Sequence, residues 1–195
     1  MAMPPYAIES DFDVINAYFS VISNAVNTPV WIQNAGLVPM CTDQVVRLCT
    51  EIEDVNWVDE EVPPTPRSIG ALCARQNLNV HGVMGGVGDL YLPTEHARGV
   101  DGCFVACECC DLLQDLWDAL ESGDAAAIGT LFYRVQPLIV LESLLVMSYS
   151  KEIMIRRGVF TNSRMRMQTK PLDAQDMLEI DRQWERIKPY MNTKI

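Results

Sequence analysis

The residues able to do chemistry fall in a few short runs. "VNWVDEE", residues 55–61, is an apolar run that ends in three carboxylates, Asp59, Glu60 and Glu61. Carboxylates at a strand end can act as general bases or hold a hard divalent cation. Alternation along a strand puts Asp59 and Glu61 on one face and Glu60 on the other. The plainer reading is a solvated strand-to-loop edge. "GGVGD", residues 85–89, could cradle a carboxylate or phosphate, since Gly85 and Gly86 let an anion approach the backbone amides. It could equally be a tight turn with Asp89 capping the next helix. "CECC" holds Cys107, Cys109 and Cys110, yet the chain's seven cysteines show no paired framework, and they read as small buried hydrophobes. His81, on the strand after the carboxylates, could add a metal ligand, although it precedes the glycines. "RRGVFTNSRMRM", residues 156–167, could bind an anion or pair with the chain's many acids.

These runs need elements to position them. "DFDVINAYFSVISNAV" has helical periodicity, with Asp11 or Ser10 as its cap. "TPVWIQNAG", "VNWVDEE", "LNVHGVMGGVGD" and "GCFVACE" read as buried strands. Between them, "TDQVVRLCTEI" is a helix capped by Thr42, "TPRSIGALCARQ" a helix opened by Pro66, and "DLYLPTEHARG" a short helix closed by Gly99. From Asp111 to Tyr190 the chain reads as helical, punctuated by Gly123, Pro137, Gly158 and Pro171. Strand and helix in alternation imply a parallel sheet with right-handed crossovers, whose working groups lie at the carboxyl ends of the strands.

Composition limits the partners. Hydrophobic residues make up 49% of the 195, enough for a core, and the formal net charge is −11. So acidic a chain repels phosphate backbones, and no basic stripe compensates, so no nucleic-acid partner is expected. The most apolar run, "PLIVLESLLVMSY", is interrupted by Glu142 and too short to span a bilayer, so no membrane is expected either. The N-terminus lacks the pattern of a signal peptide, and the cysteine usage suits a reducing cytoplasm. All four lysines, Lys151, Lys170, Lys188 and Lys194, lie in the last third.

The strand ends "QNAG", "DEE", "GGVGD" and "ACE", taken in order with the tail segments "LWDALESGDAAAIGTLFYRVQPLI" and "KEIMIRRGVFTNSRMRMQTKPLDAQDMLEI", resemble the later half of the dihydrodipicolinate synthase / N-acetylneuraminate lyase family. The resemblance implies an α/β fold, the last four to five strands of a TIM-type β/α barrel followed by C-terminal helices. Residues 1–110 would be the half-barrel, and 111–195 its last helix and the C-terminal helices of the same domain. It also implies carbon–carbon lyase or synthase chemistry on pyruvate and related 2-oxo acids, through a lysine Schiff base and a tyrosine proton relay. "MAMPPY" looks like the end of the preceding strand. This chain departs from the pattern: Asp59 stands at the Schiff-base lysine position, and Gln33 or Asn34 at the tyrosine position. A carboxylate cannot form an imine, and neither amide relays protons at neutral pH.

The expectation is therefore a relative that lacks Schiff-base catalysis by itself. The alternatives are a divergent lyase using Asp59 and Glu61, with a divalent cation or as a base, and a piece of a longer reading frame. No other cofactor is expected. Pocket candidates are Tyr6, Asn34, Asp59, Glu61, Gly85, Gly86 and Cys107, around a small 2-oxo acid. Four or five strands do not close a barrel and leave sheet edges. A homo-oligomer or a complementary half-barrel chain is therefore expected.

Overall fold

The computed structural model describes residues 1–7, 11–75 and 79–191. Contacts divide the chain into two compact units, residues 1–104 and 105–195. Ser10, the alternative first cap, and Lys194 lie outside the described residues.

In the first unit, α1 (Phe12–Ala25) starts at Asp11, whose Oδ1 accepts from the Val14 amide at 3.0 Å. Four parallel strands follow in sheet order β1-β2-β3-β4: β1 (Val30–Asn34), β2 (Val55–Glu60), β3 (Gly82–Gly85) and β4 (Gly102–Cys103). The helices α2 (Thr42–Glu51), α3 (Thr65–Cys73) and α4 (Leu92–His96) connect them. β1 and β3 are bounded by turn residues, while Pro66 sits in the first turn of α3 as the sequence suggests. Ile32, Val58 and Val83 on the sheet, and Leu48, Ile69, Leu72 and Leu92 on the helices, are fully buried and form the core. Ahead of β1, Ala2 bridges Ile32 in parallel: its amide donates to Trp31 O at 2.9 Å and its carbonyl accepts from Gln33 N at 2.8 Å. The N-terminal residues thus extend the sheet past β1, as the end of a preceding strand would.

Three local expectations change. Thr42 is the first helical residue of α2 and Cys41 its N-cap; the Gln44 side chain accepts from the Cys41 amide at 3.0 Å. Asp89 does not cap α4, which starts from Tyr91 without a side-chain cap; Asp89 lies buried in a 3-10 turn, Val87–Asp89, between β3 and α4. The fourth strand is two residues long rather than the whole of "GCFVACE".

The second unit is helical: α5 (Cys110–Ser122), α6 (Ala125–Arg156) and α7 (Ala174–Ile187). Gly123, in the left-handed region at φ 71°, ends α5, where a Cβ would be strained. Asp124 caps α6 through its Oδ1, which accepts from the Ala126 and Ala127 amides at 3.1 and 3.0 Å. Pro137 does not end this helix; the helical backbone breaks at Val146 instead, with φ 51° and ψ −138°. Proline removes one backbone donor but keeps a helical φ, whereas a β-branched residue at positive φ leaves the helix outright. Arg157 clamps the start of α5, donating to both Asp111 carboxylate oxygens at 3.1 and 3.0 Å. Among the described residues no helix is long and apolar enough to cross a membrane.

Candidate functional site at the carboxyl ends of the strands

The two faces of the sheet are distinguished by its glycines. A Cβ on Gly85 would meet Glu95 Oε2 at 2.5 Å and Ile69 Cδ1 at 3.8 Å, so Gly85 faces the helices. A Cβ on Gly86 would meet Glu61 Cγ at 2.5 Å on the opposite face. Register then sorts the rest. Gln33, Asp59 and Met84 lie in one row across the sheet, and Trp31, Trp57 and Gly82 in the row behind. Both rows lie on the Glu61 face, away from the helices. Asn34, Glu60 and Gly85 share the helix-facing row.

On the Glu61 face, Asp59 is 2% exposed and its Oδ1 has no hydrogen-bond partner. Burial, with the charges of Glu61 and then Glu60 adding, pushes its carboxyl up to about 7. Gln33 Nε2 donates to Glu61 Oε2 at 3.3 Å. Behind this polar row stand aromatics that the sequence reading did not single out. The Trp31 and Trp57 rings stack at 4.7 Å and 22°, and Phe104 meets Trp31 edge-on at 5.3 Å. Gly82 is there because Trp57 lies directly over it, where a Cβ would collide with the indole.

The helix-facing row holds a second polar group. Asn34 Nδ2 donates to Glu60 Oε2 at 2.8 Å and to Met40 O at 3.1 Å, while Met40 N donates to Asn34 Oδ1 at 2.9 Å. Asn34 thereby closes the loop after β1. Burial raises the Glu60 carboxyl to about 7, partly offset by its bonds from Asn34 and the Val62 amide. Thr65 Oγ1 donates to Glu95, whose carboxyl burial also raises.

The candidates named from the sequence therefore separate. Asp59, Glu61 and Gln33 come together, with Gly86 beneath Glu61. Gln33 shares the face of Asp59, whereas Asn34 points to the helices and is 1% exposed. Gly85 also faces the helices, and the space over Gly86 holds the Glu61 carboxylate, which would repel an anion. Tyr6 is 67% exposed and lines a surface cavity of about 580 Å³ with Met1–Ala7, Tyr18 and Ile22. Cys107 belongs to the second unit; it is exposed, as is Cys110, while Cys109 is buried. The reading of all three as buried hydrophobes thus holds for Cys109 alone. His81 is exposed at the amino end of β3, where its amide donates to Asn56 O at 2.7 Å, and so it stands at the other end of the strand from the carboxylates. Among the described residues no group of three or more His, Cys, Asp and Glu side chains gathers as metal ligands.

The second unit has its own buried polar group. Glu108 is fully buried; its Oε1 accepts from Ser150 Oγ at 3.0 Å, and its backbone carbonyl from Arg157 Nη1 at 2.7 Å. Burial, with the Glu108 charge adding, raises the half-buried Glu142 carboxyl to about 7.

Parallel strands joined by helices, with acids at their carboxyl ends, define part of a TIM-type β/α barrel. No family model and no curated sequence matches the chain. Solved structures do match it, and the fold they share with it is that of the dihydrodipicolinate synthases. The synthase from Rhodopseudomonas palustris is 23% identical with a TM-score of 0.85, the match covering 94% of this chain and 64% of that one. The synthase from Aquifex aeolicus gives 20% identity and a TM-score of 0.80, covering 96% and 64%. A monomeric dihydrodipicolinate synthase variant gives 14% and 0.83, covering 95% and 64%. This chain thus spans about 64% of the length of the solved structures it matches.

Proposed function

We propose that this chain derives from the 2-oxo acid lyases and synthases of the dihydrodipicolinate synthase / N-acetylneuraminate lyase type and has lost their Schiff-base step. One observation carries the reading. The side chain at the position where the resemblance expects the lysine is Asp59, at the carboxyl end of β2 and in register with Gln33. An imine needs a free amine, and residues 1–150 contain no lysine. Lys151 donates to the Arg164 carbonyl and Lys188 pairs with Glu185 at 3.8 Å, both in the second unit. Gln33 has no ionisable proton to relay. What remains is a carboxylate raised toward neutrality, the property of a general acid or base.

The test is reductive trapping. Incubation of the chain with pyruvate and borohydride, followed by intact-mass measurement, is expected to give no adduct. The Asp59→Lys variant restores an amine at the strand end and is expected to gain one pyruvyl adduct. An adduct on the unaltered chain overturns the reading.

The oligomeric state belongs to the same proposal: the chain pairs with a second copy through α6. Tyr133, Val140 and Leu144 are 78%, 47% and 70% exposed. Spacings of seven and four residues keep them on one side of the helix. Between Ala125 and Met147 only Arg134 and Glu142 are charged, one of each sign, so this stretch of α6 adds nothing to the self-repulsion of a chain with net charge −11.

A further inference from the structure

We propose that the face of the sheet carrying Asp59 binds a primary ammonium group, held by the Asp59 and Glu61 carboxylates with its apolar tail against Trp31, Trp57 and Phe104. Asp59 Oδ1 is a buried oxygen with no hydrogen-bond partner, on a side chain 2% exposed. Such an atom is rare in a folded protein and stands for a missing donor. The charges that act on Asp59 are those of Glu61 and Glu60, both negative, so the face favours a cationic donor and repels an anion. This inverts the charge of the lysine that the resemblance expects there.

The surroundings choose among cations. A divalent metal takes six or more oxygen ligands, or near-octahedral geometry with several waters. No three-residue ligand group gathers among the described residues. An ammonium needs only acceptors for its three N–H bonds and gains further from aromatic faces. Both are here in adjacent rows: Gln33 and Asp59 in one, Trp31 and Trp57 stacked at 4.7 Å in the next. Trp31, Gln33, Trp57, Glu61 and Met84 are half-buried, so solvent reaches the rim while Asp59 forms the floor. The ligand class is therefore a small amine with a short apolar body.

The inference deepens the reading above, yet the two fail separately: a pyruvate adduct bears on the lost amine, and the following titration bears only on the cation site. The whole chain at about pH 8, where Asp59 is mostly ionised, is titrated with n-butylammonium chloride while tryptophan fluorescence and the thermal midpoint are followed. Sodium chloride and sodium butyrate are the matched controls. Expected are a saturable fluorescence change and a rise in midpoint with butylammonium only, at least about tenfold weaker binding in Asp59→Asn, and a smaller loss in Glu61→Gln. Lowering the pH to about 5 protonates Asp59 and should weaken binding to the unaltered chain by a similar factor, an arm that needs no variant to fold. Butylammonium acting no differently from sodium chloride, or Asp59→Asn or the unaltered chain at low pH binding undiminished, overturns the cation site.

Discussion

Asp59 carries a cost that can be measured. In the unfolded chain an aspartate titrates near ~3.9. In the fold, burial and the Glu61 and Glu60 charges lift it to about 7. Between those values the folded chain holds a proton that the unfolded chain has released. The contribution is thus fully present below pH ~4 and is lost as pH rises through about 7. Glu60 and Glu142, both raised to about 7 mainly by burial, add in the same direction. Thermal or urea unfolding should therefore show greater stability near pH 5 than near pH 8. Asp59→Asn, which removes the ionisable group while keeping its shape, should stabilise the chain more at pH 8 than at pH 5, the two gains differing by on the order of 2 kcal/mol. A variant equally stable to the parent at pH 8 would mean that the carboxylate is paired in solution.

At the scale of elements, the side chain that fixes the strand end is Asn34, together with its partner Glu60. It ties β1 to Glu60 on β2 and to Met40 across the loop, using both its amide nitrogen and its oxygen. Asn34→Ala would leave the Met40 amide and the Glu60 carboxylate without these partners. Unfolding by denaturant should show a loss of roughly 1–3 kcal/mol, and amide exchange of Met40 should accelerate. An unchanged midpoint would remove Asn34 from this role. The sequence reveals the strands and their order well, because four short apolar runs alternate with amphipathic ones. Alternation also pairs Asp59 with Glu61. It cannot say which of Gln33 and Asn34 joins them, because strands of a parallel sheet are buried on both faces and lack a polar side to mark the inside. That distinction needs the register, as does the Trp31–Trp57 stack, whose members are 26 positions apart yet lie on adjacent strands. The break in α6 is hidden for a different reason: Pro137 is the visible breaker, while Val146 carries no local signal for its positive φ.

For the molecule as a whole, the proposed pairing through α6 has net charge to overcome. A chain with net charge −11 resists self-association wherever acids face acids. The stripe of Tyr133, Val140 and Leu144 lies on a stretch of α6 with few charges of its own, and it leaves large apolar side chains in water. Two copies packed antiparallel about Val140 would set Tyr133 of each helix near the far end of the other's stripe, the self-complementary arrangement a two-fold dimer needs. Light scattering after size exclusion should therefore give a mass near twice the 21.9 kDa of the chain. Leu144→Glu puts a charge at the stripe and should shift the species to monomer at the same concentration, with the helical circular dichroism signal kept. Raising the salt concentration should strengthen the dimer of the unaltered chain, since screening relieves the acidic surplus while leaving apolar burial intact. A folded monomer at every concentration would overturn the pairing, and a dimer indifferent to Leu144→Glu would move the interface away from α6. The titration with butylammonium, which concerns only the first unit, would be unaffected by either result.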